Sequence, residues 1–203
     1  HQFDVAERGF STRFNAPMDM RMNQNEMVDA IKIISSYSEE RLHKIFEQYG
    51  EVTNAKTLSK TIVTLRKSQP LNTINEFKTA LYPIVKGNPE KYFAKVFQAL
   101  RIEVNDELGA LKDLLIQVPE VLEEGGRAAF ITFHSLEDRI VKNFFRYGNF
   151  EEQQNDDVFG IPAKNDLKVI TKKPVTPSAQ ELKRNPRSRS SKLRIAEKKR
   201  VSK

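Results

Sequence analysis

A short apolar run in this chain passes, through a polar pair, directly into an amphipathic helix. Residues 127–133 follow the turn signal Glu123-Glu-Gly-Gly126 and have the β-branched and aromatic content of a buried strand. The strand stops at His134. Ser135 then reads as a helix cap, with Asp138 three residues on where a capping box usually has Glu or Gln, and Ile140, Val141, Phe144 and Phe145 repeat at helical spacing. A strand handing over to a helix is a unit of α/β folds, and open α/β sheets bind ligands beyond the carboxyl ends of their strands. His134 and Ser135 fall at such an end.

Two chemistries compete for this pair. His134 and Asp138 are four residues apart and could share a metal, but no third His or Cys stands nearby, so no metal site is expected. A serine-hydrolase elbow needs glycines beside the nucleophile, whereas Ser135 has His134 and Leu136. Glu137 reads as a solvated first-turn carboxylate favoured by the helix dipole.

Composition narrows the class. With no cysteine among 203 residues there is neither a disulfide framework nor a Cys-containing zinc site, and no apolar run reaches the length of a membrane span. A chain with 38% hydrophobic and 30% charged residues is expected to be a cytoplasmic protein with a sizeable core. The net charge of +7 is unevenly placed: residues 183–203 hold ten Lys and Arg against Glu197 alone, so the rest of the chain is slightly acidic. Such a segment is attracted to phosphate by charge alone, and its low apolar content predicts that residues 183–203 are mostly mobile; the chain is expected to leave the fold through residues 178–203, apart from a short helix near Glu181.

Helical signals dominate the first half after an irregular stretch, residues 1–25, that holds Arg8, Arg13 and Arg21. Met27, Ala30, Ile31 and Ile34 mark one helix; Ser38 caps a second over residues 39–49; Ala55, Leu58, Ile62, Val63 and Leu65 mark a third; and Thr73-Ile-Asn-Glu76 is a capping box opening a fourth. Lys56, Lys60, Arg66 and Lys67 can approach RNA, though a solvated helix face explains them nearly as well. His43 sits beside the apolar stripe and reads as a boundary residue. Lys86-Gly-Asn-Pro89 breaks the pattern before a helix over residues 91–102, and Asn105 is placed to cap the next, which Pro119 should kink or end. If the first of these helices continues, Gln98, Arg101 and Asn105 share one face. Residues 148–166 read as a loop and residues 167–171 as a further strand ended by Pro174 and Pro177.

Four blocks in order carry a resemblance. Ala6-Glu-Arg-Gly-Phe10 with Pro17-Met-Asp-Met-Arg21, Phe97-Gln-Ala-Leu-Arg-Ile-Glu-Val-Asn-Asp-Glu-Leu108, Phe133-His-Ser-Leu-Glu-Asp-Arg139 and Asn185-Pro-Arg-Ser-Arg-Ser-Ser-Lys-Leu-Arg194 closely resemble the bacterial small-subunit ribosomal RNA cytosine-N4 methyltransferase family, RsmH or MraW. The resemblance runs from His1 to about Ala196 and covers the later part of the family's length. The family's opening strand, its Gly-Gly-Gly-His turn for S-adenosylmethionine, its acidic residue for the cofactor ribose and its Asp-Leu-Gly segment are not in this sequence. The chain is therefore expected to be a fragment that starts inside the catalytic domain and is inactive alone.

The resemblance implies an α/β fold: the C-terminal part of a Rossmann-like S-adenosylmethionine-dependent methyltransferase domain with an all-helical inserted substrate-recognition domain. The expected divisions are a loop leaving the catalytic domain (1–22), the helical insertion (23–90), the remainder of the methyltransferase domain (91–177) and the basic tail (178–203). The implied activity is methylation of the N4 amino group of a cytosine in 16S ribosomal RNA within the small subunit, with no membrane partner and with a homodimer left open. His134, Ser135, Asn105 and Arg101 are the expected catalytic wall, and Gln2 the cofactor contact. Arg8, Arg21, Arg139, Arg187, Arg189, Lys192 and Arg194 are the expected RNA contacts, with Phe10 or Phe14 available to stack on a splayed base. The competing reading is a non-catalytic RNA-binding or ribosome-assembly protein.

Overall fold

The computed structural model describes residues 5–11, 14–151 and 165–200, and the chain divides into two compact units, His1–Glu107 and Leu108–Lys203. The first unit is built from α1 (Ala30–Ser36), α2 (Glu39–Gln48), α3 (Ala55–Leu65), α4 (Ile74–Leu81) and α5 (Pro89–Asn105). Local chemistry sets their starts. Ser38 Oγ accepts from the Arg41 amide, Asn88 accepts from the Lys91 amide ahead of Pro89 in the first turn, and Thr73 and Glu76 form the expected capping box. The Glu76 carboxyl is held below its usual range by the backbone hydrogen bonds from Thr73 and Asn72.

Apolar faces of these helices close on one core. Ile33, Ile34, Leu42, Phe46, Leu58, Ile62, Ile74, Phe77 and Leu81 are almost wholly buried, and the rings of Phe77 and Phe97 meet edge to face at 5.7 Å. Each such side chain contributes roughly 1.5–3 kcal/mol by leaving water. Two findings reshape the expected divisions. Met18 and Met20, in the stretch read as a loop leaving another domain, are fully buried in this helical core. And the unit extends past residue 90 to Glu107, because α5 runs unbroken from Pro89 to Asn105 and packs on α1 and α2.

The second unit contains α6 (Glu107–Val121), β1 (Arg127–Thr132), α7 (Ser135–Tyr147), β2 (Leu167–Val169), α8 (Ala179–Arg184) and β3 (Lys192–Lys198). Pro119 lies inside α6, which continues to Val121. The strands form an antiparallel sheet in the order β1-β3-β2, with Phe130 opposite Arg194, Thr132 opposite Lys192 and Val169 opposite Ala196. On one face lie Leu115, Val141, Phe144, Phe145, Leu167 and Ala196, with Phe130 edge-on to Phe145 at 5.7 Å.

The basic tail is thus corrected. Lys192–Lys198 is the central strand of the sheet, hydrogen-bonded on both sides, and the short helix near Glu181 is α8. Alternation makes this possible: Arg194 and Ala196 point into the unit, and the charge of Arg194 is neutralised there by a partner on α7. Most of the loop expected over residues 148–166 lies outside the described residues. Among the described residues, no helix is long and apolar enough to cross a membrane.

Candidate functional site

In the first unit the residues singled out from sequence gather around one irregular segment, residues 17–26. Pro17 bridges to Thr73, and the Met18 amide donates to Asn72 O at 2.9 Å, so the segment enters along the start of α4. At Met20 the backbone turns left-handed, with φ 61°, a conformation uncommon in a residue with a side chain. The surroundings hold it there. Asn105, at the end of α5, accepts from the Met22 amide through Oδ1 at 2.6 Å and donates through Nδ2 to Met20 O at 2.8 Å and Arg101 O at 2.9 Å. Arg8 donates to Arg21 O at 2.7 Å and to Met22 O at 3.1 Å.

Arg21 closes the turn from the other side. Its guanidinium binds both oxygens of Asp19, at 2.6 and 2.9 Å, and donates to Gln24 O and Glu26 O. The hydrogen bond from Arg21 holds the Asp19 carboxyl below its usual range, against the opposing effect of burial. Arg8, Arg21 and Asn105 are therefore brought together, as framework of a shaped loop; their polar groups serve the backbone. Arg101, on the same face of α5, is bidentate to Glu107 at 2.7 and 3.0 Å, and Gln98 donates to Tyr49 O. Asn105 does not cap α6: it is the last residue of α5, and left-handed Asp106 makes the break. Phe10 is buried and cannot stack on a base, whereas Phe14 is half exposed. Gln2 lies outside the described residues.

In the second unit His134 and Ser135 do lie at the end of β1 and the start of α7, but their local roles are exchanged. His134 is the cap: its Nδ1 accepts from the Glu137 amide, while a Glu137 carboxylate oxygen accepts from the amides of Phe133 at 2.8 Å and His134 at 3.3 Å. Ser135 is the exposed first residue of the helix, and Glu137 is an anchored carboxylate instead of a solvated one. Asp138 is buried. Arg194 grips it with two bonds, at 2.6 and 3.0 Å, and Lys192 adds a third at 3.2 Å. Burial pushes the Asp138 carboxyl up, yet the hydrogen bonds and charges of Arg194 and Lys192 together outweigh it and hold the group below its usual range.

Arg194, buried, and Lys192, partly exposed, form with Asp138 the ion cluster that locks β3 to α7. Arg139 remains exposed on α7, and Arg187 and Arg189 are exposed in the turn Pro186–Ser190. The sequence reading missed Asp19 and the true role of Asp138. For Asp138 a signal existed: it lies three and seven residues before Val141 and Phe145, on the buried face of α7, where an acid needs a cation. Asp19 offered none.

Comparison with known proteins places these arrangements in a family. The MraW methylase family matches residues 1–199, across both units. A protein named ribosomal RNA small subunit methyltransferase H from Bacteroides fragilis (strain YCH46) is 48% identical over 200 residues, covering 98% of this chain and 66% of the relative. Proteins of the same name from Cytophaga hutchinsonii and Christiangramia forsetii are 49% and 45% identical, with 97% and 98% of this chain and 66% and 65% of the relatives covered. The chain spans about two thirds of the length of these relatives. With a match that runs through the Met20 loop, the His134 cap and the β3 strand, the chain belongs to the MraW methylase family.

Proposed function

We propose that the polypeptide to which this chain corresponds transfers a methyl group from S-adenosylmethionine to the N4 amino group of a cytosine in 16S ribosomal RNA of the small subunit. The observation that carries this reading is the family match over residues 1–199, joined to relatives named as ribosomal RNA small subunit methyltransferases. In this reading the second unit is part of a Rossmann-like methyltransferase domain, and helices α1–α4 are the inserted substrate-recognition domain.

The resemblance assigns one residue of this chain, Gln2, to the cofactor, and Gln2 lies outside the described residues. The roles below concern the RNA. Methylating an aromatic amine is hard because its lone pair is delocalised into the ring. The site has to hold the nitrogen in line and accept a hydrogen bond from the amino group, so that the lone pair turns outward as a proton leaves. Precise placement is the requirement on this chain. The Met20 turn, with its donors and acceptors engaged by Arg8, Arg21 and Asn105, is a preorganised wall for such a base. Ser135, exposed in the first turn of α7, and Arg139 one turn on are placed to contact RNA, with His134 as the residue that positions them. Arg101 acts through Glu107 as a positioning residue.

A polypeptide restoring the relatives' full length tests the reading. It should transfer labelled methyl to small subunits from cells that lack the modification, and not to mature subunits. RNA binding with no transfer to either would favour the rival reading of a non-catalytic assembly protein.

A further inference from the structure

We propose that the lysine stripe of α3, formed by Lys56, Lys60 and Lys67, is an RNA surface that follows the phosphates of a single strand. This rests on the reading of the chain as part of a ribosomal RNA methyltransferase. The stripe is a consequence of helical geometry. At about 100° per residue, Lys56, Lys60 and Lys67 project within roughly 40° of one another, the last from the turn that follows the helix. The buried residues Ala55, Leu58, Ser59 and Ile62 occupy the opposite side, against the core. Eleven residues at about 1.5 Å rise make the stripe about 16 Å long, enough to meet successive phosphates of a strand.

Two observations separate this stripe from an ordinary solvated face. The first is its field. Between Glu51 and Glu76 the sequence has no acidic residue, while it holds Lys56, Lys60, Arg66 and Lys67. Of the helices packed against α3, α1 has no acid, Glu76 of α4 is engaged by the amides of Asn72 and Thr73, and Glu47 of α2 faces His43 at 3.7 Å; Glu39 and Glu40 stand in the first turn of α2.

The second is how the arginines of this unit are used. Arg8, Arg21, Arg41, Arg66 and Arg101 are all engaged, Arg66 by the carbonyls of Ile34 and Tyr37 at 2.8 and 2.7 Å. Lys56, Lys60 and Lys67 are exposed, and their ammonium groups have no hydrogen bond or ion pair among the described residues. Strongly hydrated ammonium groups on flexible stems suit sequence-independent phosphate contact, and Thr57 and Thr64 add exposed hydroxyls beside them. The stripe would hold RNA by its backbone and leave the choice of base to another part of the protein.

The test is binding of a labelled single-stranded segment of small-subunit ribosomal RNA to the full chain, followed by anisotropy across a salt series. Each phosphate contact on a single strand contributes about 0.7 to the slope of log affinity against log salt, so Lys56→Gln/Lys60→Gln/Lys67→Gln should make the slope shallower by about 2. The Lys→Arg triple should restore it. A control pair, Lys44→Gln/Lys91→Gln, exposed on α2 and α5, should leave it nearly unchanged, and all variants should keep the thermal melting curve. An unaltered slope in the glutamine triple, or equal flattening by the control pair, overturns the α3 surface and leaves the methyltransferase reading standing. If the unmodified chain binds polyglutamate in preference to RNA, the surface belongs to an acidic protein partner and the RNA proposal is overturned.

Discussion

The side-chain oxygen of Asn105 accepts the Met22 amide at 2.6 Å, across 83 residues of sequence, while the nitrogen of the same amide donates to Met20 O at 2.8 Å. One neutral group thus satisfies a donor and an acceptor on either side of a left-handed residue. Neither a carboxylate, which only accepts, nor an ammonium, which only donates, can do both.

From this follows the first expectation. Asn105→Ala removes three hydrogen bonds and should destabilise the chain by about 2 kcal/mol, at roughly 0.5–1.5 kcal/mol net for each bond. Asn105→Asp should cost at least as much, because a carboxylate would face the carbonyls of Met20 and Arg101. Urea denaturation should show a lower midpoint with an unchanged slope; a midpoint within error of the parent would remove Asn105 from the framework.

The second concerns the buried cluster on α7 and β3. Arg194→Met leaves the Asp138 carboxylate buried with Lys192 as its remaining cation, and should cost about 3 kcal/mol near neutral pH. Adding Asp138→Leu should recover much of that loss, since the uncompensated charge goes with it. A double variant as unstable as the single one would show that packing, and not charge, sets the cost.

Acidification gives a separate handle on the same group. The folded-state pKa of Asp138 is lowered from its ordinary 3.8, so its contribution is fully present above that value and is lost as pH falls through the lower folded pKa. In Arg194→Met only Lys192 still opposes the effect of burial, and burial raises the carboxyl. The stability gap between parent and variant should therefore narrow as pH falls from 7 towards 4. A gap independent of pH across that range would assign the loss to shape alone.

Much of the first unit was legible because its signals are local. Capping residues at Ser38 and Thr73 and apolar spacing in α2, α3 and α4 needed no long-range knowledge. The α7 cap was displaced by one residue because His134 and Ser135 both suit the position, and only the bond from the Glu137 amide to His134 Nδ1 decides between them. The β3 strand was hidden by composition. Its alternation, Leu193 and Ile195 against Arg194 and Ala196, is visible in retrospect, but a buried Arg is intelligible only once Asp138, 56 residues away, is known to meet it. The Met20 turn carried no signal, since the partners that hold its φ at 61° come from residues 8 and 105.

A strand buried at the centre of a sheet also exchanges slowly. The Leu193 and Ile195 amides, which donate to Val175 O and to the Thr171 hydroxyl, should be protected from hydrogen exchange to a degree comparable with the β1 amides opposite them. Exchange as fast as in an unfolded peptide would restore the mobile tail that composition suggested.

The identity of the methylated nucleoside decides whether this chain belongs to a cytosine-N4 methyltransferase. Small subunits treated with the full-length polypeptide and labelled S-adenosylmethionine can be digested to nucleosides and separated by mass spectrometry. The label should appear in N4-methylcytidine. Label on a ring carbon, on a ribose hydroxyl or on another base, with N4-methylcytidine absent, would contradict that assignment.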